Sequence, residues 1–126
     1  MGEGMREQDI QNTIRIEFSR QIPHGLLFRL NVGQAWTGSR VLHNPDGSLT
    51  IFEPRPFNSG IPTGFSDLFG VLPGGRALFV EVKSLKGKPS PAQENFLNTV
   101  SMRGALAGVA RSFEDVLKII NSEGIG

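Results

Sequence analysis

No cysteine and no tyrosine occur among the 126 residues. The first absence excludes disulfides, thiolate zinc sites, iron–sulfur clusters and cysteine nucleophiles together. The second excludes a tyrosine nucleophile. Two histidines, His24 and His43, are too few for a His-rich metal site or His-pair acid–base chemistry. Long apolar runs are also missing: none approaches the roughly 20 residues that cross a bilayer. The N-terminus lacks the apolar segment of a signal peptide. A soluble intracellular protein with no membrane partner is therefore expected. Its chemistry has to run on carboxylates, Lys, Arg, Ser or Thr.

What is present suits one domain over residues 1–126, with 38% hydrophobic and 20% charged residues supporting a modest core. The net charge is only +1, from 13 Lys+Arg and 12 Asp+Glu. Its distribution is uneven. Six bases (Arg76, Lys83, Lys86, Lys88, Arg103, Arg111) and two acids (Glu81, Glu94) lie between Arg76 and Arg111, a local balance of +4. A basic stretch in a neutral domain fits a polyanion groove, and it equally fits a solvated basic loop at Lys83–Lys88.

Along the chain, Ile10, Ile14 and Phe18 recur at helical spacing and predict an amphipathic helix over Arg6–Arg20, ended by Pro23 and Gly25. Leu26–Leu30 reads as a strand running into a turn at Asn31–Gly33. Val41–His43 and Ser48–Phe52 flank Asn44-Pro45-Asp46-Gly47, a hairpin turn signal. Three prolines and two glycines mark Glu53–Ser66 as an irregular loop. Asp67–Leu72 and Ala77–Lys83 read as strands joined by Pro73-Gly74-Gly75-Arg76. Ser90 and Pro91 open a helix to about Met102, Ala105–Ala110 is a strand, and Ser112–Ile120 closes the chain as a helix. The order is αβββββαβα, a mixed α/β domain.

Chemistry concentrates at Asp67 and at Glu81-Val82-Lys83. Side chains two apart on a strand share a face, so Glu81 and Lys83 point together and Val82 points into packing. A hairpin centred near residue 74 sets opposite one another positions whose numbers sum to about 148. Asp67 then stands against Glu81, and Phe69 against Phe79. Two neighbouring carboxylates repel, and a hard cation resolves the conflict. Mg²⁺ or Mn²⁺ takes one or two carboxylates, keeps several waters and accepts phosphate oxygens. Lys83 would orient an attacking water or neutralise the phosphate. The plain alternative is an exposed Asp at a strand start beside a surface Glu/Lys pair. Trp36 has two readings as well, stacking on a nucleic acid base or packing against the core or a partner chain.

Three runs carry a resemblance: Gly64-Phe65-Ser66-Asp67-Leu68, Leu78-Phe79-Val80-Glu81-Val82-Lys83 and Gly87-Lys88-Pro89-Ser90-Pro91-Ala92-Gln93. With Glu7-Gln8-Asp9-Ile10-Gln11 before them and Gly104–Ala110 after, the chain resembles the VRR-NUC domains, virus-type replication-repair nucleases of the PD-(D/E)XK superfamily. The likeness is to compact stand-alone phage and bacterial members. It implies a restriction-endonuclease-like core and a Mg²⁺- or Mn²⁺-dependent DNA endonuclease. Asp67, Glu81 and the Val82 carbonyl would be metal ligands and Lys83 the catalytic lysine. Glu7 would add a carboxylate from the first helix, and Gln93 would line the site. Two plainer roles remain for these last residues. Ser90-Pro91-Ala92-Gln93 is a capping box, and Glu7 suits a helix first turn. The family's Pro before the Asp is Ser66 here, a change expected to loosen the loop without abolishing metal binding. Lys86, Lys88, Arg103 and Arg111 would grip DNA. Branched substrates such as four-way (Holliday) junctions, a homodimer and a cytoplasmic location complete the expectation. The alternatives are a flap- or sequence-specific nuclease, or a non-catalytic DNA-binding module of nuclease fold.

Overall fold

The computed structural model describes residues 5–30 and 34–122; the turn expected at residues 31–33 lies outside them. The chain divides into two compact units, Met1–Leu30 with Gly64–Gly126, and Asn31–Thr63.

In the first unit, helix α1 (Glu7–Gln21) buries Ile10, Ile14 and Phe18, the stripe its spacing predicts, one residue later in the chain than expected. A four-stranded sheet follows from β1 (Leu26–Arg29), β6 (Leu68–Val71), β7 (Ala77–Val82) and β8 (Leu106–Ala110), adjacent in that order. The first three are antiparallel neighbours, whereas β7 and β8 are parallel. A parallel pair needs a crossover. Helix α2 (Pro91–Met102) provides it, starting at a Ser90 cap with Pro91 in its first turn. Helix α3 (Phe113–Ile120) begins at Ser112, whose hydroxyl accepts from Asp115 N–H at 3.2 Å.

Alternation along β7 splits the unit into layers. Leu78, Val80 and Val82, all fully buried, join Ile10, Ile14, Phe18, Phe113 and Val116 in the core beneath α1 and α3. Gly108 permits that packing, because a Cβ there would lie 2.9 Å from Ile119. On the opposite face Phe79 meets Phe69 at 4.9 Å and Phe96 of α2 at 5.4 Å, with Phe65 and Phe28 extending the aromatic layer. Glu81 and Lys83 continue this α2-facing row.

The second unit is a β-ribbon. Strands β2 (Gln34–Thr37) and β5 (Arg55–Asn58) pair antiparallel, as do β3 (Arg40–His43) and β4 (Leu49–Phe52). Gln34↔Asn58 and Arg40↔Phe52 have the same sum of residue numbers, so one register runs through both ladders across the break at Gly38-Ser39 and Glu53-Pro54. The Asn44–Gly47 turn forms as expected, with Gly47 N–H bonded to Asn44 O at 3.0 Å. Strands β2 and β5 correct the expected order: seven strands, not five, separate α1 and α2. Glu53–Ser66 is also not wholly irregular, since it contains β5. Pro56 is tolerated because each strand of a two-stranded ribbon has an open edge, where a missing N–H costs no ladder bond. None of residues 35–63 is buried.

Candidate active site

The β6–β7 hairpin turns through Leu72–Arg76, closed by Leu72 N–H to Arg76 O at 2.9 Å. Its register pairs Leu68 with Val80 and Phe69 with Phe79. One step further sets Asp67 opposite Glu81, the arrangement that the turn position predicts. Asp67 Oδ2 accepts the Val82 backbone N–H at 3.0 Å, and Asp67 O accepts Leu30 N–H at 3.0 Å.

Glu81 is only 1% exposed. Its Oε2 accepts Gln93 Nε2 at 2.8 Å and lies 3.4 Å from Lys83 Nζ. Oε1 is buried and has no hydrogen-bond partner. A buried carboxylate oxygen left unpaired is costly. Burial first, and the nearby Asp67 charge second, push Glu81 up to about 7, while Lys83 pulls it down. The part that the Asp67 charge plays in this rise marks the two carboxylates as near neighbours.

Gln93 forms the expected capping box and also touches Glu81. Its backbone N–H bonds Ser90 Oγ at 3.1 Å and its Oε1 accepts Ser90 N–H at 2.8 Å, completing the capping box. Its remaining amide donors reach Glu81. One side chain thus ties the first turn of α2 to the carboxylate.

The other expected residues are spread more widely. Glu7 opens α1, and its Oε2 would lie 3.3 Å from a Cβ at Gly87. Among the described residues no three His, Cys, Asp or Glu side chains stand close enough to hold one ion. Lys86 and Lys88 are exposed on the β7–α2 loop. Arg111 is turned inward: its guanidinium donates to Gly87 O at 2.5 Å and so holds that loop. Arg103 caps the far end of α2, bonding Thr99 O and lining a cleft of about 410 Å³ with Arg76 and Ala77. The length of β7 separates it from Glu81. Ser66, expected to loosen the loop, is fully buried, and its hydroxyl bonds Leu68 O at 2.9 Å. The Arg111 bond reaches a carbonyl 24 residues away that only the fold brings near, whereas the Ser66 bond is local, two residues along the chain.

Two carboxylates fit a hard divalent cation. The oxygens are of the right chemistry, and the orphaned Glu81 Oε1 lacks the partner that a cation would be. An Asp and a Glu-x-Lys strand joined at the end of a mixed sheet, with helices on both faces, form the arrangement of PD-(D/E)XK nucleases. The sequence matches the VRR-NUC domain over residues 5–114, and the chain belongs to that family of nuclease domains. A solved structure described as a VRR-NUC domain is similar at 27% identity and a TM-score of 0.58, covering 90% of this chain and 92% of its own. A comparison with curated proteins found no match.

Proposed function

We propose that this chain is a Mg²⁺- or Mn²⁺-dependent DNA endonuclease acting in the cytoplasm on branched DNA, four-way junctions above all, as a homodimer. The observation that carries the chemistry is the buried, unpartnered Glu81 Oε1 beside Asp67. Asp67 and Glu81 hold the cation, with the Val82 carbonyl as a third ligand. When bound, the cation supplies Lewis-acid charge to the scissile phosphate and acidifies water. Gln93 fixes the Glu81 carboxylate so that Oε2 is engaged and Oε1 is not. Lys83 keeps its ammonium 3.4 Å from Glu81 and neutralises charge that builds on the phosphate. Glu7 acts at one remove, against the Gly87 loop. Lys86 and Lys88 are exposed grips for backbone phosphates. Arg103 would contact DNA only along the sheet's far end, and Arg111 serves the loop first.

The branched substrate and the dimer rest on symmetry and family likeness. Cutting both strands of a junction symmetrically takes two sites, and each chain has one; a twofold dimer supplies the second. The ribbon offers surface for such a contact, with Trp36 63%, Phe57 54% and Leu49 53% exposed. A two-stranded ribbon is marginal on its own in water. The non-catalytic alternative is disfavoured because Asp67, Glu81 and Lys83 are all present.

The test is cleavage of labelled four-way junction, flap and linear duplex with Mg²⁺, Mn²⁺ or EDTA, using wild type and Lys83→Ala, with sedimentation at the assay concentration. Metal-dependent junction cutting by a dimer, lost in Lys83→Ala while binding persists, is expected. Cutting of flap or linear DNA alone, or a monomer, discards the junction reading. No cleavage by folded protein with either metal leaves a binding module.

A further inference from the structure

We propose that Ser66 is a positioning residue for Asp67, its hydroxyl locking the backbone at the point where strands β6 and β7 part. This rests on the metal-site reading above. Among the described residues two polar side chains are buried, Glu81 and Ser66. One is a ligand candidate, and the other adjoins the second ligand candidate. A hydroxyl taken out of water needs a hydrogen bond, and an Ala would fill this space without that requirement.

The bond that Ser66 makes spans Asp67. Its Oγ donates to Leu68 O at 2.9 Å, so residues 66 and 68 are tied across the ligand's own Cα. Continuing the β6–β7 register would set Ser66 opposite Val82. The Val82 N–H goes instead to Asp67 Oδ2 at 3.0 Å. The carboxylate has therefore replaced a ladder acceptor at the strand's end, while Asp67 O is held from the other side by Leu30 N–H. Without the Ser66 bond the peptides on either side of Asp67 can rotate, and the direction of its Cβ is no longer set. Outer groups that orient metal ligands are worth about 10–100-fold in affinity or activity.

The test uses the full chain, as wild type, Ser66→Ala and Asp67→Asn. Amide hydrogen exchange is followed at Val82, with Val80 on the same strand as reference, in metal-free protein. Mn²⁺ affinity is then measured by calorimetric titration. In Ser66→Ala, Val82 exchange is expected to accelerate about tenfold relative to Val80, and Mn²⁺ affinity to fall about tenfold or more. A merely structural serine would speed both amides equally and leave the affinity of the folded protein unchanged; either result overturns the assignment of Ser66. A wild type that binds no Mn²⁺, or an Asp67→Asn variant that binds equally well, overturns the metal reading and this inference with it.

Discussion

Replacing Glu81 with Gln keeps the side chain's shape and removes its ability to ionise, and the consequence depends on pH. In the unfolded chain the carboxyl titrates near 4.5, and in the folded, metal-free protein it is pushed up to about 7. Between these values the unfolded state has released a proton that the folded state still holds, so wild-type stability falls as pH rises and levels off above 7. At about 1.4 kcal/mol per tenfold change in the proton equilibrium, the full effect is about 3 kcal/mol. Lys83, only 14% exposed, loses its charged partner in the variant and takes back part of that gain. Glu81→Gln should therefore be about 1–3 kcal/mol more stable than wild type at pH 8 in EDTA, with the difference nearly gone at pH 4. Urea unfolding at the two pH values measures it. Saturating Mn²⁺ should then reverse the order, since about 1,000 times Kd adds about 4 kcal/mol to a chain that binds it and nothing to one that does not. A difference independent of pH, or a variant less stable at pH 8, would refute the account of Glu81 as a strained ligand awaiting a cation.

Three further outcomes are expected. Gly64 has φ +89°, and a Cβ there would lie 2.5 Å from Ala92 O, so Gly64→Ala should cost about 2–4 kcal/mol in thermal unfolding and shift the start of α2. The Lys86→Ala/Lys88→Ala pair should weaken DNA binding evenly across sequences and reduce the slope of log affinity against log salt by about 2, read by fluorescence anisotropy. Arg111→Ala should leave that slope within error of wild type while lowering folding stability by about 1–3 kcal/mol, because its guanidinium serves Gly87 O.

The site was more legible in the sequence than the outlying structure, for a physical reason. The Pro73–Arg76 turn fixes the hairpin register, and register alone brings Asp67 to Glu81. Ser90, Pro91 and Gln93 fix the start of α2 through local bonds that spacing reveals. Strands β2 and β5 escaped because Pro54, Pro56 and Pro62 argue against regular structure, and only pairing with Trp36's strand reveals Arg55–Asn58 as an edge. Arg103 and Arg111 look alike as charges in a sequence. Their carbonyl partners, Thr99 and Gly87, separate a helix-end contact from a loop staple. The expected flexibility before Asp67 rested on losing a ring at position 66. The buried Ser66 hydroxyl restrains the same backbone by another route.

Gln93 gives the site a shared fate with a helix end. The amide that caps α2 through Ser90 also holds Glu81 Oε2, so the first turn of α2 cannot unwind without releasing the carboxylate. Helix ends open more readily than the sheet beneath them, and they do so below the global melting temperature. Activity in this chain should thus fade on heating ahead of the loss of fold, with the loss tracking the fraying of one helical turn and recovering as promptly on cooling.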